Sequence, residues 1–310
     1  MRLVFMGTPE FAVKSLTTLY NSPHKIAAVV TAVDKPRGRG RQVAPSAVKQ
    51  KAIDLGLPIL QPSNLKSPKF AEELKSYSPD LNVVVAFRIL PESIFSLPRL
   101  GSINLHASLL PAYRGAAPIN WAIINGETKT GVTTFLLDKQ VDTGAVLMQR
   151  EIEITPDDDA GSLHDKLMDK GAELLLQTID GLEGGTLKPI KQESAQFSPA
   201  PKLTAETAKI DWALPAEKVV NLIRGLSPYP GACSYLDSNK IIFLKAQNAA
   251  LEPHGKPGQI INSSPKDGIT IACGTDAVQI LKLKPQGKKV MSSAEFVRGY
   301  HVEIGYCFQN

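Results

Sequence analysis

Leu81-Asn82-Val83-Val84-Val85-Ala86-Phe87 is an apolar run with one amide in it and no polar–apolar alternation. A strand with one wet face alternates every second residue. A strand covered on both faces does not, and such runs belong to parallel sheets with helices on either side. Arg2–Met6 and Ile26–Val33 read the same way. Ser46–Leu55 and Lys69–Ser76 predict helices between the runs, and Pro9 suits the first turn of another. Strands alternating with helices indicate an open α/β sheet. Thr130–Leu137 and Val146–Ile154 predict two more strands. Ala160–Leu182 predicts a long helix, with Leu163, Leu167, Leu174 and Leu175 on one side, ended by Gly184-Gly185.

The pattern then changes. Lys188–Lys202 carries Pro189, Pro199 and Pro201 among polar residues and reads as a linker or crossing segment. Beyond it come a helix, Ala216–Gly225, and short strands at Lys240–Gln247, Gly258–Asn262, Gly268–Cys273 and Ala277–Leu283. Short, closely spaced strands point to a small barrel or sandwich. The 310 residues also exceed what one core of roughly 250–300 residues sustains. The expected fold class is therefore α/β: an N-terminal open, mostly parallel Rossmann-like sheet domain with a C-terminal small β-barrel (OB-like) domain. The expected division is 1–188, a linker at 189–204, and 205–310.

Several function classes are set aside by what the sequence lacks. No segment reaches the roughly 18–20 apolar residues of a membrane span, and the start lacks the long apolar stretch and cleavage site of a signal peptide. A cytoplasmic protein is expected. Cys233, Cys273 and Cys307 are three, widely spaced, and fit neither a disulfide framework nor a zinc site. They are expected to be small buried apolar residues in a reducing compartment, and no metal is expected. There is no phosphate-binding Walker pattern, and Gly7-Thr8-Pro9-Glu10 is not a dinucleotide fingerprint.

Charge is unevenly spread. From Asp34 to Lys51 six basic residues (Lys35, Arg37, Arg39, Arg41, Lys49, Lys51) face one acid, a local +5 that equals the net charge of the whole chain. Gly38 and Gly40 separate the arginines, giving a flexible guanidinium-dense loop suited to phosphate contact. A merely solvated loop is the alternative. Residues 201–310 hold thirteen Lys and Arg against nine Asp and Glu, a further +4.

The chemistry concentrates between Gly101 and Gly144. Asn104 and His106 stand two apart at the end of a predicted strand, so period two puts both on one face. Asp142 follows another strand, in Asp142-Thr143-Gly144. Loops at the carboxyl ends of strands are the usual ligand sites of such sheets. An amide can donate to the oxyanion of a tetrahedral intermediate. An imidazole can stabilise it or move a proton, and a carboxylate can hold the imidazole. Taken alone, Asn-x-His near a strand end is more often structural, and Asp-Thr-Gly is an ordinary turn. His24, His164, His254 and His301 have no comparable neighbours in the sequence and are expected to be surface or packing residues.

The longer string decides between these readings. Asn104-x-His106, Ser108-Leu109-Leu110-Pro111, Arg114-Gly115 and Asp142 together resemble the folate-dependent formyltransferase family. RGAAPI (Arg114–Ile119), MGTPEFAV near the start, KPRGRG (Lys35–Gly40) and PKLTAETAKIDW (Pro201–Trp212) resemble those members whose acceptor is methionyl-tRNA. The resemblance implies 10-formyltetrahydrofolate as co-substrate, initiator methionyl-tRNA as partner, and Asn104, His106 and Asp142 as catalytic residues. It implies that Ser108, Leu109, Leu110 and Pro111 border the folate site, where backbone groups can meet the pterin edge. It further implies that Lys35, Arg37, Arg39 and Arg41 contact the tRNA acceptor stem, and that 205–310 is a tRNA-binding domain of a monomer with no membrane partner. Arg88 and Ala107 depart from the pattern, which often has Gly at both places.

Two alternatives stand beside this. A formyltransferase acting on a small amine (a nucleotide or sugar amine), or a hydrolase of the formyl folate, would keep the catalytic string but need neither the basic loop nor the separate C-terminal domain. A non-catalytic RNA-binding α/β protein would have no reason to keep Asn104, His106 and Asp142 together.

Overall fold

The computed structural model describes residues 1–37, 42–193, 197–249 and 254–309. The chain divides into two compact units. One comprises Met1–Gly115, Thr130–Ile152 and His164–Ala200; the other comprises Ala116–Lys129, Glu153–Leu163 and Pro201–Asn310.

The elements run β1 (Arg2–Gly7), α1 (Phe11–Tyr20), β2 (Lys25–Val30), β3 (Lys35–Arg37), β4 (Gln42–Ala44), α2 (Ala47–Asp54), β5 (Ile59–Leu60), α3 (Pro68–Ser76), β6 (Leu81–Val85), α4 (Glu92–Phe95), β7 (Ser102–His106), β8 (Arg114–Gly115), α5 (Pro118–Ile124), β9 (Lys129–Leu136), β10 (Val146–Glu153), α6 (Ala160–Glu183) and β11 (Pro199–Ala200). Seven of these strands form one sheet in the order β10-β9-β7-β6-β1-β2-β5. The pairs from β5 through β7 are parallel, and β7 with β9 is antiparallel. The expected mostly parallel sheet is therefore present. β6 is buried at all five positions, and β1 and β2 at all but their first. By contrast β10, at the sheet edge, alternates in exposure along Val146–Glu153.

The order turns at β1: the chain first builds outward to β2 and β5, then returns to place β6 and β7 on the other side. Such a reversal leaves a crevice at the carboxyl ends of the strands. Gly7 ends β1 there, where a Cβ would lie 2.8 Å from that of Ala12 and 3.1 Å from the Val85 carbonyl. On one face of this sheet Val4, Met6, Val30, Val84, Phe70, Leu74 and Ile94 form a closed cluster. Each large aliphatic or aromatic side chain so buried contributes about 1.5–3 kcal/mol. Asn82, the one amide in β6, is fully buried and donates to Ile94 O and Ser102 Oγ, both at 3.1 Å.

Two expectations need correction in this unit. His24 does have charged neighbours: its buried ring places Nε2 2.9 Å from Asp180 Oδ1 and Nδ1 3.7 Å from Glu183 Oε2. The partners come from the far end of α6, so sequence proximity gave no hint of them. The basic stretch, read as a loop, has paired arms: β3 and β4 are antiparallel, with Lys35 opposite Ala44 and Pro36 opposite Val43. Of its six cations, Lys49 is tied to Asp34.

The second unit adds α7 (Ala216–Leu226), β12 (Ala232–Leu236), β13 (Asn239–Asn248), β14 (Ile260–Ser264), β15 (Gly268–Ala272), β16 (Ala277–Pro285), β17 (Met291–Ser292) and α8 (Ser293–Tyr300). Its sheet is antiparallel, in the order β12-β13-β16-β15-β14. The segment Tyr306–Gln309 closes it. Gln309 exchanges both backbone hydrogen bonds with Tyr235 on β12, while Tyr306 O and Phe308 N bond Ile260 and Gly258 at the β14 edge. Trp212, Phe243 and Phe308 meet inside with ring centroids 5.3–5.9 Å apart. Helix α7 gathers the two segments drawn from the middle of the chain. Gly225 O accepts from Asn120 Nδ2 at 2.7 Å, and Arg224 donates to Thr155 O at 2.8 Å and Asp158 O at 2.9 Å. Cys233 and Cys273 are buried as expected, but Cys307, on the closing segment, is exposed. A segment that joins two sheet edges has one face outward, and Cys307 stands on that face.

Candidate active site

Strand β7 carries Asn104 and His106 on one face, opposite Phe135 and Thr133 of β9. Asn104 is half-buried, and among the described residues its side-chain amide has no hydrogen-bond partner. His106 is 7% exposed. Its Nε2 lies 2.9 Å from the Tyr113 carbonyl. A carbonyl only accepts, so in the neutral ring the proton resides on Nε2. Nδ1 is then the nitrogen that gains and loses a proton, and it lies 3.9 Å from Asp142 Oδ2. That separation is ion-pair range, too long for a hydrogen bond. The carboxylate thus faces the imidazole but does not grip it. The grip comes from a backbone carbonyl, a ligand that no residue type announces in a sequence.

Asp142 is 8% exposed and has φ +58°, a left-handed conformation. Asp is among the few residues that adopt it with little penalty. Oδ2 accepts from the Gly115 N–H at 3.0 Å. The turn beyond it depends on Gly144, where a Cβ would lie 1.6 Å from the Leu136 carbonyl oxygen.

The segment that supplies Tyr113 O and Gly115 N is itself tied down. β8 pairs in parallel with β11, and Tyr113 N and Arg114 N donate to Ser198 Oγ at 2.9 Å and Ser198 O at 3.1 Å. Arg114 donates to Gln192 Oε1 at 2.6 and 3.2 Å, and its guanidinium stacks on Phe197 with 5.5 Å to the ring centre. Gln192 Nε2 in turn donates to Asp142 O at 3.0 Å and Gly144 O at 2.8 Å. Sequence reasoning missed Tyr113, Gly115 N and Gln192 as parts of this arrangement.

Ser108–Pro111 follows His106 after Ala107, but its polar groups turn inward. Ser108 Oγ donates to Ala112 O at 2.6 Å, and Ser108 O accepts from Thr133 Oγ1 at 2.6 Å. Leu110 N donates to Thr133 Oγ1 at 3.1 Å, and Leu110 O accepts from Gln149 Nε2 at 2.8 Å. The Ser108 carbonyl and both backbone polar groups of Leu110 are therefore engaged within the protein. Arg88 lies at the carboxyl end of β6, over the Phe87 ring, and donates to Pro62 O at 2.8 Å. Partial burial lowers its guanidinium below the ordinary arginine value. Of the four basic-loop residues, Lys35 is exposed on β3 and Arg37 ends that strand; Arg39 and Arg41 lie outside the described residues.

A mostly parallel sheet that carries an amide, an oriented imidazole and a facing carboxylate at the carboxyl ends of its strands can support group-transfer chemistry. Comparison with known proteins narrows this. The Formyl transferase family profile matches residues 1–179, and the Formyl transferase, C-terminal domain profile matches 202–301. Methionyl-tRNA formyltransferase of Citrifermentans bemidjiense is 46% identical over 306 residues, 98% of this chain and 95% of that protein. The protein of the same name from Caldanaerobacter subterraneus is 47% identical over 98% of this chain and 99% of its own length. The chain belongs to the formyl transferase family and is a one-carbon transferase.

Solved structures share the fold at lower identity. The sugar 3N-formyl transferase WlaRD superposes with a TM-score of 0.67 at 17% identity, covering 93% of this chain and 99% of that one. HypX from Aquifex aeolicus in complex with tetrahydrofolic acid gives 0.66 at 20% identity and covers 96% of this chain, which spans only 47% of HypX. No helix among the described residues is long and apolar enough to cross a membrane.

Proposed function

We propose that the chain transfers the formyl group of 10-formyltetrahydrofolate to the free amino group of methionine on initiator methionyl-tRNA, giving formylmethionyl-tRNA for translation initiation. The amine nitrogen attacks the formyl carbon, a tetrahedral intermediate forms, and the bond to folate N10 breaks. The amine loses one proton, and N10 gains one. Asn104 donates to the oxyanion of the intermediate. His106 gains or loses its proton at Nδ1, and Asp142 opposes the positive charge when Nδ1 is protonated. The observation that carries this chemistry is the half-buried Asn104 amide, unpartnered among the described residues, two residues from a histidine whose tautomer Tyr113 O dictates.

Relatives with the same printed name match 44–47% of positions over nearly the full chain, both units included, which supports the tRNA acceptor. Charge supports it too. Lys240, Lys245, Lys282 and Lys284 lie on the paired strands β13 and β16, with Lys288 and Lys289 in the following turn, and none forms an ion pair among the described residues. Such unpaired cations suit a phosphate backbone. In this reading 1–188 carries the catalysis and 205–310 is the tRNA-binding barrel, while 189–200, the larger part of the expected linker 189–204, belongs to the first compact unit. Lys35, Arg37, Arg39 and Arg41 contact the acceptor stem. Ser108–Pro111 borders the folate through Leu109 and Pro111, the half-exposed members of that string. The enzyme works as a monomer in the cytoplasm, the compartment of its charged-tRNA acceptor.

The test is direct. The protein is incubated with 10-formyltetrahydrofolate, and the folate absorbance is followed with and without charged initiator tRNA. Turnover only with the tRNA supports the assignment. Turnover with a small amine alone moves it to the small-amine enzymes, and turnover with no acceptor moves it to a hydrolase.

A further inference from the structure

Gln192 sits in the stretch that reads as a linker, between exposed Lys191 and Glu193, yet its own side chain is partly buried. Its amide is fully used. Oε1 accepts twice from Arg114, and Nε2 donates to the carbonyls of Asp142 and Gly144. The orientation admits no alternative, since a guanidinium only donates and a carbonyl only accepts. The segment that bears it is anchored on both sides. Ile190 exchanges backbone hydrogen bonds of 2.8 Å with Val146, and Ser198 bonds Tyr113 and Arg114.

Both ends of this bridge lead to the reacting groups. On one side is Asp142, whose left-handed backbone has to be held by its surroundings. On the other is Arg114, between Tyr113, whose carbonyl orients His106, and Gly115, whose N–H orients the Asp142 carboxylate. One side chain thus sets the placement of 113–115 against 142–144, and those two segments hold the imidazole and the carboxylate.

We propose that Gln192 is a positioning residue for formyl transfer, holding Asp142 in place against His106 through the backbone of Asp142 and Gly144. This rests on the reading of Asp142 as the catalytic carboxylate. Two variants separate the parts. Gln192→Glu keeps an acceptor for Arg114 but removes the donor to both carbonyls. Gln192→Met keeps the volume and removes both functions without adding charge.

Each is expected to lower kcat by about tenfold to a hundredfold, the scale of a misplacement near 1 Å, with KM for the formyl folate within about threefold. The acid limb of the pH–rate profile is expected to move in the same direction as in Asp142→Asn. Adding Gln192→Glu to Asp142→Asn is expected to cost less than about threefold more, because residues acting through one another are non-additive. If the losses multiply in the double variant, or the acid limb stays in place in both single variants, Gln192 does not act through Asp142 and the proposal falls. Wild-type turnover in Asp142→Asn alone would instead remove the reading beneath it. Should Gln192→Glu fail to fold, Gln192→Met carries the same double-variant comparison.

Discussion

His106 donates its Nε2–H to the carbonyl of Tyr113, seven residues along the chain, at 2.9 Å. One hydrogen bond therefore decides which imidazole nitrogen is left to handle protons, and it turns that nitrogen toward Asp142. Asn104→Ala and His106→Ala should each lower turnover by a hundredfold or more, on the scale of about 3–4 kcal/mol for losing an oxyanion donor. Both should melt near the wild-type temperature. Turnover within threefold of wild type in both would refute the assignment of the pair.

Asp142→Asn tests the carboxylate with little risk to the fold, because Asn also tolerates the left-handed conformation at φ +58°. Its side-chain oxygen can still accept from Gly115 N. Binding of tRNA should persist, most activity should vanish, and the acid side of the pH–rate profile should change. Full activity with an unchanged profile would leave Asp142 as a turn residue.

Gly144→Ala should cost stability as well as activity. The added Cβ would fall 1.6 Å from Leu136 O, part of the backbone of β9, which has no rotamer to yield. Overpacking of this kind costs about 1–3 kcal/mol, sometimes more. Urea denaturation should show a lower midpoint with an unchanged slope. A wild-type midpoint would mean that the turn can shift freely.

The three cysteines should separate by reactivity. Burial, with Asp276 nearby, pushes the Cys273 thiol up to about 12, and Cys233 is 2% exposed, whereas Cys307 is exposed. A thiol reagent at pH 8 should label one site per chain in the native protein and three after denaturation. Labelling of Cys273 in the native state would show that the barrel opens on that timescale.

The basic hairpin has an anchor at its root. The hydrogen bond from Lys49, then that from Gln61, holds the Asp34 carboxyl below its ordinary value. A depressed value in the folded protein means that the stabilisation is present above the ordinary carboxylate range and lost only as pH falls through the lowered value. The anchor therefore persists at every neutral assay pH. Asp34→Ala should raise KM for tRNA and leave folate binding unchanged. Replacing Arg37, Arg39 and Arg41 together with Ala should flatten the salt dependence of tRNA use, by up to about one unit of slope for each phosphate that is no longer neutralised. An unchanged slope would argue against a role for this hairpin at the acceptor stem.

The parallel sheet was legible because strands buried on both faces leave continuous apolar runs, and β6 is such a run. Helix α6 was legible from its leucine spacing. Other parts left weaker marks or none. Strand β12, Ala232–Leu236, is too short and too mixed to show a period. The capping box of α8, Ser292 with Glu295, was present in the sequence but followed a stretch read as strands. Closure by Tyr306–Gln309 uses single bridges, which have no periodicity. In the site, side chains with chemistry of their own stood out, and the string Asn104 to Asp142 was legible through its resemblance. The groups that orient them are a carbonyl at Tyr113, an N–H at Gly115 and a glutamine in a proline-rich stretch, and none of these has a compositional signature.

Closure of the barrel by Tyr306–Gln309 bears on how the chain emerges from the ribosome. Ala116–Lys129 and Glu153–Leu163 are made early but belong to the unit completed by Pro201–Asn310. Their partners on α7 appear about a hundred residues after α5, and the strands that seal the barrel appear later still. Until then the apolar sides of α5 and the start of α6 have nothing of their own unit to cover them. Exposed apolar surface of this kind invites aggregation and chaperone capture. Chains stalled before Tyr306 should therefore stay bound to holdases and protease-sensitive in the second unit.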